Sequence, residues 1–272
     1  MEPVRASLVI RDREIRMEFD PASPVHQTIL DELSSGGAYE RKSQFLMMRV
    51  LNEGDTFLDI GAHIGYFTLL GGALVGETGT VLAVEPIDEN FRQLTHHIEL
   101  NGLTNVKAAQ AVVGSENGEA DIFFNADNDG GHALWDPAQH PANALTRNNP
   151  RTDRVRSLTL ASLLDAHGID RVRLAKIDTE GAEAMILDSS RRVFLAGRVD
   201  FVVMEVNIGG LKLLGSDIDR LFRLAGDLGY GVHLPHPEGG RPDPLTDENR
   251  PDPRYVYNVA LARREAVDAV WN

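Results

Sequence analysis

From Asp55 onward, apolar β-rich runs at Thr56–Ile60, Thr80–Val84, Val106–Val113, Arg173–Ile177 and Phe201–Val206 alternate with segments of helical spacing. That alternation predicts a parallel sheet covered by helices on both faces. The helices carry their own signals. Asp88 is placed to cap a helix with Phe91, Leu94 and Ile98 on one face, and Asn101-Gly102 supplies its stop. A second helix is expected from Glu180 to about Ser189, with Ala184 and Leu187 on one side. A third begins near Ser216-Asp217, turns Ile218, Leu221, Leu224 and Ala225 inward, and ends at Gly226 or Gly229. A last strand is expected at Tyr255–Ala262.

Residues 1–50 stand outside this rhythm. Ser7 to Phe19 reads as two short strands about a polar turn at Arg11-Asp12-Arg13, and Val25 to Val50 carries helical spacing broken at Gly36-Gly37. The expected organisation is an N-terminal extension over 1–50 packed on a domain spanning 51–272. Within that domain, residues 127–150 are rich in Asn, Asp, Gly, His and Pro with little periodicity, and read as a long loop covering the pocket of a small-molecule acceptor. Its Trp135 is suited either to stacking on a substrate ring or to anchoring the loop.

The strand at Thr56–Ile60 runs into Gly61-Ala62-His63-Ile64-Gly65, and a helix opens at Tyr66. A strand, a glycine turn and a helix N-terminus present backbone N–H groups and a positive dipole end to a ligand lying against the backbone. The spacing is Asp-x-Gly-x-x-x-Gly rather than the Gly-x-Gly-x-x-Gly that admits a pyrophosphate, and Asp59 would repel phosphate and attract an ammonium. S-adenosylmethionine carries an ammonium and a sulfonium and no phosphate, so it fits where NAD fits poorly. Glu85, at the tip of the next strand and 20 residues after Gly65, is placed to accept hydrogen bonds from ribose hydroxyls. Asp59, Gly61, Ala62, Gly65, Glu85, Ile87 and Val112 are the expected cofactor contacts.

Composition narrows the partners. The 27 basic against 41 acidic side chains give a formal charge of −14 without a basic cluster, which disfavours nucleic acid. There is no cysteine, which removes disulfides, thiolate metal sites and a cysteine nucleophile together. No apolar stretch approaches the roughly 18 residues of a membrane span and the N-terminus lacks the apolar run of a signal peptide, so no membrane and a cytoplasmic location are expected. Nothing in the pattern specifies an oligomeric state.

Several blocks together resemble the class I FkbM-type S-adenosylmethionine-dependent methyltransferases. They are Phe-Leu-Asp-Ile-Gly-Ala-His-Ile-Gly at 57–65, Val-Glu-Pro at 84–86, Asn-Gly-Leu at 101–103, Leu-Thr-Leu-Ala-Ser-Leu-Leu at 158–164 and Lys-Ile-Asp-Thr-Glu-Gly-Ala-Glu at 176–183. The resemblance runs from about Gly54 to His236, and its most specific block is 176–183. It implies a Rossmann-like α/β fold of three αβα layers, with a seven-stranded, mostly parallel sheet whose last strand is antiparallel, and O-methylation of a small molecule or sugar hydroxyl. The family usually carries Asn where this chain has His63.

Methyl transfer from a sulfonium needs an oxygen aligned with the methyl carbon and a route for its proton. Asp178 and Glu180, after the fourth strand, are the expected catalytic acids, with His63 as a further base and His132 as a lesser one. For Glu180 the structural alternative is a first-turn acid complementing its helix dipole, and for Lys176 a salt bridge to a neighbouring acid. Asp178, Glu205 and Asn207 offer three oxygen donors, so a Mg²⁺-assisted route is an alternative. An NAD-dependent oxidoreductase and a non-catalytic adenosyl-ligand binder are the more distant readings. His96-His97 are expected on the surface.

Overall fold

The computed structural model describes residues 3–252 and 256–272. A hairpin of β1 (Val4–Ile10) and β2 (Arg13–Phe19) leads into α1 (Pro24–Ser34) and α2 (Arg41–Val50). The alternating region follows as β3 (Thr56–Ile60), α3 (Tyr66–Val75), β4 (Thr80–Val84), α4 (Asp88–Leu100) and β5 (Val106–Ala109). An insertion then carries β6 (Val112–Val113), β7 (Gly118–Phe123), α5 (Ala144–Asn148) and β8 (Thr152–Leu158). The chain resumes with α6 (Leu160–Ala166), β9 (Val172–Ile177), α7 (Glu183–Ser189), α8 (Arg191–Leu195) and β10 (Val199–Val206). It closes with α9 (Ile208–Leu213), α10 (Ile218–Asp227), β11 (Gly231–Leu234), β12 (Asp243–Pro244), β13 (Tyr257–Ala262) and α11 (Arg264–Trp271).

The main sheet has the order β12-β11-β13-β10-β9-β3-β4-β5. The pairs β3–β4, β4–β5, β3–β9 and β9–β10 are parallel, and β13 runs antiparallel to both β10 and β11. This is the expected seven-stranded sheet with its last strand reversed, extended by the two-residue edge strand β12. Tyr255, where that last strand was expected to begin, lies outside the described residues.

Period-two alternation divides the core between two layers. Leu58, Ala175, Val202 and Leu261 face α6, α7 and α10, whereas Phe57, Leu174, Phe201 and Ala260 face α2, α3 and the hairpin. Helix α3 is buried along its whole length, because the hairpin and α2 cover the side that would otherwise meet solvent. Arg11, in the hairpin turn, donates to the carbonyls of Leu74 at 3.1 Å and Leu51 at 2.9 Å, satisfying helix-end acceptors that lack partners of their own.

Four local expectations change. Val106–Val113 is not one strand: β5 belongs to the main sheet, and β6 joins a second sheet of order β6-β8-β7. Asp88 is the first residue of α4 rather than its cap, and it pairs with Arg92 one turn on. The helix expected from Glu180 begins at Glu183. His97 is completely buried: Nε2 accepts the Glu18 N–H at 2.9 Å and Nδ1 lies 2.7 Å from the Ile64 carbonyl. It clips the glycine turn to the N-terminal hairpin, a tertiary role that its helical position does not reveal.

Among the described residues no helix is long and apolar enough to cross a membrane.

Candidate active site

A cavity opens at the carboxyl ends of β3, β4, β9 and β10, and all the expected catalytic and cofactor-binding residues except Gly65 line it. The chain leaves β3 through Gly61 at φ +81°, where a Cβ would sit 1.8 Å from the Asp178 carbonyl oxygen. The turn and the tip of β9 therefore pack backbone to backbone, which only glycine allows. Gly65, at φ +96°, is the N-cap of α3.

The N–H groups of Gly61 and Ala62 both donate to the Val84 carbonyl, and that of His63 donates to Glu85 Oε2 at 2.8 Å. These amides, expected to face a ligand, close the turn onto β4 instead. Recognition of a ligand passes to the side chains. Asp59 is buried, with Oδ2 accepting the Thr68 hydroxyl at 2.6 Å and Oδ1 without any partner. Burial pushes its pKa up to about 6, against the pull of Lys176. A buried carboxylate oxygen with nothing to bind suits a cationic ligand group, and the ammonium of S-adenosylmethionine is such a group. Glu85 accepts from His63 and Ile87, one amide on each oxygen, leaving lone pairs for hydroxyl donors. Ile87 and Val112 pack with Ile122 in an apolar cluster on the cavity wall.

At the tips of β9 and β10 the wall turns acidic. Asp178 Oδ2 accepts from Lys176 Nζ at 2.5 Å, and Glu40 lies 3.8 Å from the same nitrogen. Burial pulls the Lys176 pKa down, but Asp178, Glu40 and Asp59 outweigh it and raise it. Lys176 is therefore the counter-ion of this cluster. Glu180 sits in a left-handed conformation at φ +54°, and Oε2 accepts from Asn207 Nδ2 at 2.6 Å. Burial first, and then the charge of Asp178, push its pKa up to about 8. Glu205 lines the cavity and is raised well above the usual carboxylate range by burial, Asp178 and Glu180.

The dipole-complementing role considered for Glu180 falls to Glu183. That residue is in the first turn of α7, and its Oε1 accepts from Thr179 N, Thr179 Oγ1 and Gly181 N. The three-oxygen metal set is not assembled: Asn207 Oδ1 accepts the Gly210 N–H as the cap of α9, and its amide nitrogen is what meets Glu180.

His63, His132 and Trp135 are each committed differently from a solvated loop residue. Burial pushes both His63 and His132 down to about 4, and His132 Nδ1 accepts the Asn125 N–H. Trp135 Nε1 donates to the Glu180 carbonyl at 2.6 Å, so the indole anchors the 127–150 segment on the site. Polar side chains give that segment its order. Asp127 accepts from the N–H of Leu145 and Thr146, and Asn125 from those of Asp127 and Asn128, which is why no hydrophobic period marks it. The sequence reading missed Glu40, Tyr39 and Asp129, which also line the cavity. No local pattern marks Glu40, which stands just before α2 and is brought to Lys176 by tertiary packing.

The buried acids fix a pH dependence. Glu85 and Glu183 are each pushed up to about 7 by burial. Folding therefore strengthens their hold on a proton relative to an unfolded value of about 4.3, and that stabilisation is lost as pH rises through about 7. His26, His63, His97, His132 and His233, all lowered by burial, act in the opposite sense, and their effect fades above the unfolded histidine value of about 6.5, leaving about 0.4 kcal/mol each. Between about pH 6.5 and 8 Glu85, Glu183 and Glu180, the last with a pKa of about 8, outweigh this residual histidine contribution, so the ligand-free protein should lose about 1 kcal/mol of unfolding free energy. Urea midpoints at the two pH values check this, and an unchanged or rising midpoint would refute it.

The strand order β5-β4-β3-β9-β10-β13-β11 with only β13 reversed, and a glycine turn at the mouth of the sheet, define the Rossmann-like class I methyltransferase fold. The chain belongs to the FkbM methyltransferase family, whose Methyltransferase FkbM domain matches residues 59–230. It is similar to Methyltransferase 1 of Beauveria bassiana (strain ARSEF 2860), at 29% identity over 145 residues covering 49% of this chain. The match spans 57% of that relative's length. Among solved structures it is similar to the methyltransferase FkbM of Methylobacillus flagellatus KT, at 16% identity and TM-score 0.48, covering 87% of this chain and 51% of that one. It is also similar to a SAM-dependent O-methyltransferase of Thermotoga maritima, at 13% identity and TM-score 0.44, covering 95% of this chain and 77% of that one.

Proposed function

We propose that this FkbM-family methyltransferase moves the methyl group of S-adenosylmethionine to a hydroxyl oxygen of a small molecule, and that it works in the cytoplasm with neither nucleic acid nor membrane as partner. The observation that carries the reading is Glu180. It is a carboxyl on the cavity wall whose pKa of about 8 matches it to accepting a hydroxyl proton near neutral pH. When bound, S-adenosylmethionine supplies an electrophilic methyl carbon. Asp59 would hold its ammonium and Glu85 its ribose, while Gly61 lets the turn close against the tip of β9. Asp178, fixed by Lys176, orients the acceptor hydroxyl, and Glu180 takes up the proton released as that oxygen gains the methyl. The Asn207 amide donates to the Glu180 carboxylate as its charge forms, and Trp135 holds the covering segment against the same residue.

Calorimetry with S-adenosylmethionine, S-adenosylhomocysteine and NAD tests the cofactor. Micromolar binding of the first two without the third is expected, and the converse would overturn the reading. A second reading, transfer to an amine nitrogen, draws on the excess of Glu40, Asp178, Glu180 and Glu205 over Lys176 in the wall, which favours a cationic acceptor. Methyl label from the cofactor, offered with matched alcohols and amines, separates the two.

A further inference from the structure

Among the buried polar atoms without a hydrogen-bond partner, three come from separate parts of the chain but from side chains that lie together: Nε2 of His26, Nε2 of His63 and Oδ1 of Asp129. His26 comes from α1, His63 from the glycine turn and Asp129 from the segment after β7. Their side chains meet at one point. The two imidazole nitrogens lie 3.8 and 3.9 Å from Asp129 Oδ2, too far for hydrogen bonds, and one ligand atom from each residue falls within 4.8 Å of the others. A buried polar atom without a partner is uncommon, and three facing each other mark the place of something that binds all three.

The surroundings hold this constellation open. Ser23 Oγ accepts the His26 N–H as the cap of α1 and donates to Asp129 Oδ2 at 2.5 Å, which orients the carboxylate and leaves Oδ1 free. The His63 backbone is fixed by its left-handed φ of +51° and by the bond to Glu85. The two rings meet edge to face with centroids 5.6 Å apart. Burial lowers the pKa of both histidines, so each is a neutral imidazole rather than a cation. Ion–ligand bonds of about 2.0–2.2 Å put tetrahedral donor atoms roughly 3.3 to 3.6 Å apart, and Asp129 Oδ2 stands only a few tenths of an ångström farther than that from each imidazole nitrogen, at 3.8 and 3.9 Å. Two imidazoles and a carboxylate form a donor set for first-row divalent ions.

We propose that His26, His63 and Asp129 form a divalent transition-metal site, with zinc as the reference ion, that ties α1 and the 127–150 segment to the glycine turn. One hydrogen bond stands against it: His26 Nδ1 accepts the Asp20 N–H at 3.0 Å, which keeps the ring proton on Nε2. Metal binding moves that proton to Nδ1 and gives up the Asp20 bond, a small loss beside a new metal–nitrogen bond. Three protein ligands leave a coordination position open, and His63 and Asp129 both line the cavity.

The test is made on the full chain after treatment with a chelator, by calorimetric titration with zinc chloride. One equivalent is expected to bind, and His63→Asn and Asp129→Asn are each expected to weaken binding about 10-fold or more, while His96→Asn leaves it unchanged. Cobalt chloride added to the unsubstituted protein gives a reading that does not depend on any variant folding: the strong visible bands of a low-coordinate, imidazole-bound ion are expected. No zinc uptake, equal affinity in all three variants, or the pale spectrum of hydrated cobalt would each overturn the site and leave a buried water as its occupant. None of these readings depends on S-adenosylmethionine.

Discussion

Glu180→Gln is expected to lower kcat by about 10²–10⁴-fold while leaving the affinity for S-adenosylmethionine within a few-fold of the original. The substitution is nearly isosteric, and the glutamine carbonyl can still accept from Asn207 Nδ2, so the local packing survives. What disappears is the ability to take a proton. The pH profile separates this from a positional effect. In the unsubstituted protein the rate should climb with pH toward a plateau near or below about 8, because the carboxylate is the active form and a bound sulfonium lowers its pKa further. In the glutamine variant that limb should be absent. Asp178→Asn is a poorer probe, since it also takes from the buried Lys176 ammonium its hydrogen-bonded partner and leaves it Glu40 at 3.8 Å and the more weakly acting Asp59. A Glu180→Gln enzyme with an unchanged rate and profile would move the base elsewhere on the wall.

Gly61→Ala is expected to cost about 3 kcal/mol or more of folding free energy and to abolish cofactor binding. Two effects add at this position. The left-handed backbone penalises any Cβ by roughly 1–2 kcal/mol, and here the new carbon would lie 1.8 Å from the Asp178 carbonyl oxygen. Because the contact is with backbone at the tip of β9, relief means pushing β3 and β9 apart exactly where the site is built, at a further cost of about 1–3 kcal/mol. Gly102→Ala isolates the first effect. Gly102 has φ +62° with nothing within 4 Å of a Cβ, so a loss of about 1 kcal/mol is expected there. Denaturant titrations of the two variants should therefore differ by about 2 kcal/mol or more. Equal losses would show that the turn and β9 are not locked together.

The strands and helices that build the sheet were legible because their periods are local. Thr56–Ile60 and Thr80–Val84 match β3 and β4 residue for residue, and Asp217 caps α10 as its short acidic side chain suggested. The insertion from β6 to β8 was not legible. Val112 follows Ala111 without a composition change, and its departure to a second sheet depends on pairing with Ser157 and Leu158 far along the chain. The 127–150 segment failed for a related reason: Asp127 and Asn125 organise it through side-chain bonds to backbone N–H groups, which leave no period to read.

The sequence by itself determined the frame and the identity of the acids: β-rich runs buried on both faces require a covered parallel sheet, and Asp59, Glu85, Asp178 and Glu180 stand at strand ends in that frame. Tertiary structure decided what those residues experience. Only packing turns the glycine-turn amides onto Val84 and Glu85, sets Glu180 against Asp178 so that its proton is held, and makes Lys176 a counter-ion for Glu40 from the N-terminal region. The physical reason is that backbone periodicity is a property of neighbours along the chain, whereas proton affinity depends on burial and on the charges that distant segments bring within a few ångströms.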